Sequence, residues 1–174
     1  MLSLRNAYCQ LRALEPDDLN FLLKIENDES LWKISNTQIP YSKYLLTEYI
    51  KNAGEDIYTA KQLRLVICLR DGEAIGLLDF FDFEPKHKRA GLGIVLNEAH
   101  RNKGIGNAVL SLVKEYAKNS LDLHQLYANI GEHNSASLKL FEKSGFQKTG
   151  TKIDWIYDAG FYENEIMLQF IFAS

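Results

Sequence analysis

A short basic stretch with two nearby glycines comes directly before a helical pattern. Residues 100–107 read HRNKGIGN, in which Gly104 and Gly106 follow the cations Arg101 and Lys103. The first turn of a helix presents unpaired backbone N–H groups and partial positive charge, and glycine lets a bulky anion approach that backbone. The stretch therefore predicts a pyrophosphate-binding loop, with Arg101 and Lys103 as mobile cations at its rim.

The same glycines also fit a tight turn that only directs the chain into the helix. A dinucleotide fingerprint would need glycine where Val109 stands, and the sequence contains no GxxxxGK[ST] phosphate loop. A nucleotide site is therefore disfavoured. The two remaining interpretations of the glycines are an anion-binding loop and a simple turn.

Two aspartates interrupt the apolar, strand-like run AIGLLDFFDFE. Asp79 and Asp82 each stand between large apolar residues, where an acid is more often functional than on a generic surface. Strict alternation would put Asp82 on the same face as Glu84, and Asp79 on the opposite face. We expect Asp82 to act as a general base through water, with Asp79 as the second catalytic candidate. A solvated edge strand is the alternative.

Other polar and aromatic residues give weaker signals. The four histidines stand in polar contexts with no visible partner, so we expect them at the surface. Tyr157, Tyr162 and Asp154 could line an acceptor site, although strand aromatics more often belong to a core. Cys9 and Cys68 lack metal-ligand spacing, so we expect buried reduced thiols and no metal site.

The composition limits the class of protein. The chain has 174 residues, a formal net charge of -3 and a pI near 5.8. A mildly acidic chain is a poor general binder of nucleic acid, because neutralising phosphates needs a basic face. The sequence shows no signal-peptide pattern and no apolar run of membrane-spanning length, so we expect no membrane partner and a cytoplasmic location.

The elements that must position these residues alternate along one mixed α/β domain, residues 1–174. The amphipathic pattern that follows Gly104 is the clearest helix, and the Asp71-Gly72 turn joins the clearest strand pair. The other predicted elements are a strand at 6–13, a helix from 16, an irregular segment at 27–41, a helix at 42–52, a strand at 89–96, a strand at 124–130, a helix at 134–145 and a terminal hairpin.

Two segments resemble the signatures of the GNAT superfamily of N-acetyltransferases. Residues 101–106, RNKGIG, match [QR]-x-x-G-x-[GA], and residues 134–146, NSASLKLFEKSGF, are similar to N-x-x-[AS]-x-x-[LF]-[YF]-x-[KR]-x-G-F. The ribosomal-protein and polyamine acetyltransferase branch looks most similar. The resemblance implies a mostly antiparallel sheet of about seven strands flanked by helices, with central parallel strands near 89–96 and 126–130 splayed apart.

The resemblance also implies acetyl-CoA as cosubstrate and direct attack by a primary amine in a ternary complex. The acceptor would be a polyamine or diamine, an amino acid or a protein amino terminus, and residues 27–41 would set the specificity. Self-association as a homodimer fits this reading. The cofactor-binding residues would be Ile94, Val95 and Leu96 for pantetheine, Arg101, Asn102, Lys103, Gly104, Ile105, Gly106 and Asn107 for the diphosphate, and Asn134, Phe141 and Lys143.

Three positions depart from the family's chemistry. Relatives often carry a glutamate where this chain has Gly91 or Asn129, and a tyrosine acid where it has Phe141. The usual base and acid are therefore missing, which leaves a second hypothesis open: a non-catalytic acyl-CoA-binding or regulatory module.

Overall fold

A seven-stranded sheet forms the centre of the computed structural model, which describes residues 4–173. The strand order is β1-β2-β3-β4-β5-β7-β6, and β4–β5 is its parallel pair. This arrangement confirms the predicted fold class. The strands are β1 (Cys9–Ala13), β2 (Leu63–Leu69), β3 (Ala74–Glu84), β4 (Arg89–Leu96), β5 (Gln125–Gly131), β6 (Gln147–Asp158) and β7 (Phe161–Ile171).

Helices cover both faces of the sheet. They are α1 (Leu19–Glu26), α2 (Glu29–Ser35), α3 (Lys43–Asn52), α4 (Ile57–Ala60), α5 (Ile105–Asn119) and α6 (Ser135–Lys143). The helices predicted at 42–52, after Gly104 and at 134–145 are confirmed. The expectation that residues 27–41 are irregular is wrong for α2, which Asp28 caps by accepting a hydrogen bond from the Ser30 N–H.

Local hydrogen bonds explain two further differences from the sequence pattern. The first strand begins at Cys9 instead of residue 6, because the Asn6 side chain accepts hydrogen bonds from the backbone of Tyr8 and Cys9 and holds a turn there. The short helix α4 begins after Asp56, whose carboxylate accepts from the N–H groups of two following residues. Neither the turn at Asn6 nor the helix α4 has a hydrophobic periodicity that could predict it from the sequence.

Two apolar clusters cover opposite faces of the sheet. The larger one joins α5 and α6 to side chains such as Leu92, Ile94 and Ile130, whereas the smaller one joins α1, α2 and α3 to Leu77 and Val95. Adjacent residues of β4 therefore point to opposite faces, as strand geometry requires. Cys9 and Cys68 are buried free thiols, as predicted, and burial raises the pKa of each.

The parallel strands β4 and β5 separate partway along their length. They pair at three positions, Arg89 with Gln125, Ala90 with Leu126 and Gly91 with Tyr127. Beyond Gly91, β4 keeps its pairing to β3 and β5 keeps its pairing to β7. A gap therefore opens inside an otherwise continuous sheet, which confirms the predicted splay.

The two glycines of β4 serve different purposes. A Cβ at Gly91 would lie 2.2 Å from a ring carbon of Phe81, whereas a Cβ at Gly93 would meet nothing nearer than the Asp79 Cβ at 4.0 Å. Gly91 is therefore required by the packing of Phe81 and not by a passing ligand. Gly93 leaves open space beside Asp79.

This contrast predicts different stabilities for a matched pair of variants. Gly91→Ala should lower the free energy of unfolding by about 1–3 kcal/mol, because Phe81 must leave its position. Gly93→Ala should change it by less than about 0.5 kcal/mol, since the added methyl enters open space. Urea unfolding of both proteins measures the difference, and equal losses would contradict this packing.

Candidate active site

A cavity of about 780 Å³ occupies the gap between β4 and β5. Its lining includes Leu92 and Ile94, which face α5 and α6, and also Gly93 and Val95, which face the other helices. Since residues from both faces border one space, the cavity passes through the sheet. Such a passage lets one ligand enter from one face and meet a second ligand on the other.

The α6 side of the cavity contains several residues predicted from the sequence. Ile94, Asn134 and Phe141 line it, Val95 lines the opposite side, and the Asn134 carboxamide oxygen accepts a hydrogen bond from Ser137 N–H at 3.2 Å. Phe141 is buried against Phe146, with ring centroids 4.9 Å apart. A phenylalanine ring carries no proton to give, so this position cannot supply a general acid.

Apart from the loop residues 101–107, two of the predicted cofactor residues lie outside the cavity lining. The Leu96 carbonyl accepts a hydrogen bond from Arg101 Nε at 3.0 Å, so this backbone oxygen already has a partner. Lys143 is an exposed residue of the last turn of α6. Neither residue forms part of the cavity wall.

The glycine loop lies at the solvent-exposed beginning of α5, outside the cavity lining. Gly104 adopts a positive φ of 79°, a conformation that favours glycine, and Asn102 has a φ of 58°. Among the described residues, no acceptor bonds the backbone N–H groups of residues 102–107. The loop therefore presents unpaired donors to solvent, as an anion site requires.

Two loop residues are tied to the packing of α5 on α6. A Cβ at Gly106 would lie 2.9 Å from a Leu140 methyl carbon, so this glycine permits close contact between the helices. Asn107 Oδ1 accepts a hydrogen bond from Ser144 Oγ at 2.8 Å. Helix packing accounts for Gly106 and Asn107 as they stand, and the loop's anion geometry rests mainly on residues 102–105.

Arg101 is anchored and is not the mobile rim cation that its position in the sequence suggests. Its Nε bonds Leu96, and its buried Nη2 has no hydrogen-bond partner within residues 4–173. Buried guanidinium donors rarely stay unpaired, because desolvation without a partner is costly. Nη2 is enclosed within the protein, so an anion at the exposed loop does not explain its missing partner, while Lys103 is exposed.

The two candidate bases occupy different places. Asp79 lines the cavity, where its carboxylate accepts two hydrogen bonds from Arg64, at 2.7 and 3.0 Å. Asp82 is exposed, accepts a bond from the Tyr127 hydroxyl at 3.3 Å and lies outside the cavity lining. A bulge between Phe81 and Glu84, with a φ of 46° at Asp82, breaks the alternation that the sequence reading assumed.

Arg64 connects Asp79 to a second acid on α1. Its Nη1 also bonds Glu26 Oε1, and its guanidinium carbon lies 5.4 Å from the centre of the Tyr49 ring. Burial alone would lower the pKa of Arg64, but the two carboxylates outweigh it and raise that pKa. Arg64 therefore stays charged and holds both acids in place.

Sequence reasoning missed two glutamates of β7 that line the cavity. Glu163 and Glu165 lie two residues apart on one face, and Glu165 pairs in register with Gly131 of β5. Glu163 is 7% exposed and bonds His133 Nδ1. Alternation along FYENEIMLQF puts these acids on one face, but only the strand pairing shows that the face borders the cavity.

Lys33 of α2 connects to the end of the terminal hairpin. Its Nζ lies 2.9 Å from Asp158 and 3.5 Å from Glu163. Although burial would raise the pKa of Glu163, the bonds from His133 and Lys33 lower it below its ordinary value of 4.5. The carboxylate is therefore charged at neutral pH, and it joins α2 to the wall of the cavity.

The hairpin aromatics and the histidines differ partly from expectation. Tyr157 lines the cavity mouth, and both Tyr157 and Tyr162 are about two-thirds exposed, so neither belongs to the core. Asp154 is exposed and lies outside the cavity lining. His133 is exposed, as predicted, yet it lines the cavity and has Glu163 as a partner.

Comparison with known proteins agrees with this geometry. Residues 9–147 match the acetyltransferase (GNAT) domain. The chain belongs to the GNAT acetyltransferase family. This membership confirms the predicted acyl-CoA-dependent acetyltransferase.

Similar proteins include two named spermidine acetyltransferases. The spermidine N(1)-acetyltransferase of Escherichia coli (strain K12) is 26% identical over 160 residues, covering 91% of this chain and 83% of that protein. The Vibrio cholerae protein of the same name is 24% identical over 159 residues, covering 91% and 90%.

Solved structures confirm the fold over nearly the whole chain. The Vibrio cholerae spermidine N-acetyltransferase in complex with CoA and spermine has a TM-score of 0.85 at 24% identity, covering 95% of this chain and 96% of that one. A dodecameric structure of the Vibrio cholerae enzyme has a TM-score of 0.79 at 25% identity, covering 95% of each chain.

No helix within residues 4–173 is long and apolar enough to cross a membrane.

The ion pair between Lys33 of α2 and Glu163 of β7 predicts that the mobility of α2 depends on pH. Because the folded state lowers the pKa of Glu163, this ion pair is fully present above pH 4.5 and is lost as pH falls through the folded pKa. Glu163→Gln should therefore speed amide hydrogen exchange in residues 29–36 by about two- to fivefold at neutral pH. Hydrogen-exchange mass spectrometry measures this change.

Glu165→Gln is the matched control, since Glu165 pairs with Lys152 and not with α2. Equal exchange in residues 29–36 for the wild type and Glu163→Gln would contradict the link. An equal increase in the two variants would show a general loosening of β7.

Proposed function

We propose that this protein transfers an acetyl group from acetyl-CoA to a small primary amine. The cavity that passes through the sheet between β4 and β5 carries the proposal. One of its sides reaches α6, and the other holds four carboxylates. This arrangement suits two ligands that meet inside the gap.

The residues present fit acetyl-CoA. When bound, it supplies an acetyl group activated as a thioester. Unpaired N–H groups of residues 102–105 and the exposed Lys103 would hold its diphosphate. The backbone of Ile94 and Val95 would bond the pantetheine arm as an added strand would, with Asn134 on the opposite wall.

The charge of the cavity favours a cationic acceptor. Four acids line it, against the cations Lys33 and Arg64; the acids are Glu26, Asp79, Glu163 and Glu165. A cavity with excess negative charge attracts an ammonium ion and raises its local concentration. The printed names of the Escherichia coli and Vibrio cholerae relatives, spermidine acetyltransferases, also support a small amine.

Attack on the thioester requires a neutral amine, so a proton must leave the ammonium first. Asp79 is the candidate acceptor, directly or through water, because it borders the open space at Gly93. Phe81 fills the space that a side chain at Gly91 would need, and Phe141 has no proton. The nitrogen loses a second proton as the amide forms, and water in the cavity would relay that proton to the departing thiolate.

Two further expectations remain proposals. The long edge strand β6 exposes Ile153 and Trp155, a surface that fits self-association as a homodimer. A cytoplasmic location likewise stays a prediction.

The anion loop can be tested with two substitutions at one position. Gly104→Ala and Gly104→Glu should both lose about 1 kcal/mol of stability, because a side chain strains the positive φ. Only Gly104→Glu adds negative charge at the loop, so it should weaken CoA binding at least about tenfold relative to Gly104→Ala. Titration calorimetry measures both affinities, and equal CoA affinity in the two variants would refute the loop assignment.

The base can be tested with the two aspartates of β3. Asp79→Asn should lower the rate of thiol release from acetyl-CoA by roughly 100-fold and flatten its rise with pH. Asp82→Asn should stay within about twofold of the wild type, since Asp82 lies outside the cavity. A panel of diamines, polyamines, amino acids and short peptides serves as acceptors.

If Asp82→Asn alone flattens the rise of the rate with pH, the general base is Asp82 and not Asp79. Tight CoA binding with no thiol release for any amine would favour the acyl-CoA-binding module.

A further inference from the structure

A second cavity of about 440 Å³ lies against α3, separate from the through-sheet cavity. Most of its wall is aromatic or aliphatic, and Leu45, half exposed on α3, stands at its edge. The volume and the apolar wall are those of small-molecule sites in general. The principal apolar residues are Tyr41, Leu45, Leu46, Tyr49, Leu63 and Phe81.

The two cavities share a boundary made of four residues. Glu26, Arg64, Asp79 and Phe81 line both of them. Asp79 is also the residue proposed above to receive the proton from the acceptor. An amine held at this boundary would therefore lie beside the reacting group, with the remainder of the molecule in the second cavity.

The net charge at the boundary is balanced by one ammonium ion. Glu26, Asp79 and Arg64 are the charged residues in the lining of the second cavity, and together they leave one net negative charge. Arg64 is held by both carboxylates and by the Tyr49 ring, so it cannot easily leave. Each carboxylate oxygen can accept more than one hydrogen bond, so the acids can still bind an ammonium.

The rest of the second cavity disfavours additional charge. A second ammonium beyond the boundary would lie among Leu45, Leu46 and Leu63 with no carboxylate to pair it. Moving an unpaired charge out of water is costly, whereas an aryl or alkyl group gains from the same burial. A polyamine is therefore a poor occupant, and an apolar monoamine is a good one.

We propose that the second cavity binds the apolar body of a primary monoamine, such as an arylalkylamine, and directs its single ammonium to the Glu26–Arg64–Asp79 boundary. This rests on the proposed amine acetylation. The structure then holds two acceptor-side spaces of different chemistry, of which the second selects for an aryl or alkyl group.

The test compares adjacent residues of α3, with 2-phenylethylamine and spermidine as probes. Leu45→Trp adds an indole at the edge of the second cavity, whereas Tyr44→Trp adds the same ring at a highly exposed position outside both cavity linings. Leu45→Trp should raise the KM for 2-phenylethylamine about tenfold, a typical effect of altering an apolar pocket. The KM for spermidine and for acetyl-CoA, and all values for Tyr44→Trp, should change less than about twofold.

Binding is measured as well as turnover, by calorimetry of 2-phenylethylamine with the CoA-loaded protein. If Leu45→Trp leaves the 2-phenylethylamine affinity unchanged, or weakens both amines equally, the second site is refuted. If 2-phenylethylamine binds as expected but no amine is acetylated, the second site stands and the proposed function fails. The two failures are thus distinguishable.

Discussion

Pairing between β4 and β5 stops after three residue pairs, and the candidate site depends on that interruption. Backbone groups of buried strands normally bond a neighbouring strand, because an unpaired N–H or C=O away from water is costly. Here the edges of β4 and β5 instead border a cavity that connects the two faces of the sheet. The gap supplies unused hydrogen-bonding groups and a passage in the same place.

Each side of the gap has its own chemistry. Beyond Leu96 the chain turns into α5 through a loop with free donors, and Arg101 Nε bonds the Leu96 carbonyl at the start of that loop. On the other side, carboxylates from α1, β3 and β7 meet, held by Arg64 and Lys33. In the proposed function, an anionic cosubstrate and a cationic acceptor would therefore bind at opposite ends, so that neither would compete for the other's site.

The sequence predicted what depends on local pattern. The period of α5 and the Asp71-Gly72 hairpin each lie within a short stretch, and both predictions are confirmed. The family indicated by the two signature segments is confirmed as well. The terminal hairpin and the cap at Asn134 follow for the same reason.

What failed depends on distant contacts. Arg64 joins Glu26, which is 38 positions away, and Gly91 is set by Phe81 of the neighbouring strand. The bulge at Asp82 changes the face of that residue without any mark in the sequence. The buried Glu163 borders the cavity only because β7 lies beside β5, which a single sequence does not reveal.

A crystal structure of the protein with CoA would show whether the cosubstrate occupies the gap between β4 and β5. We expect pantetheine density between Ile94–Val95 and Asn129–Ile130, with the diphosphate at residues 102–105. Density for CoA elsewhere on the surface, or closure of the gap by pairing of β4 with β5 beyond Gly91, would contradict this expectation.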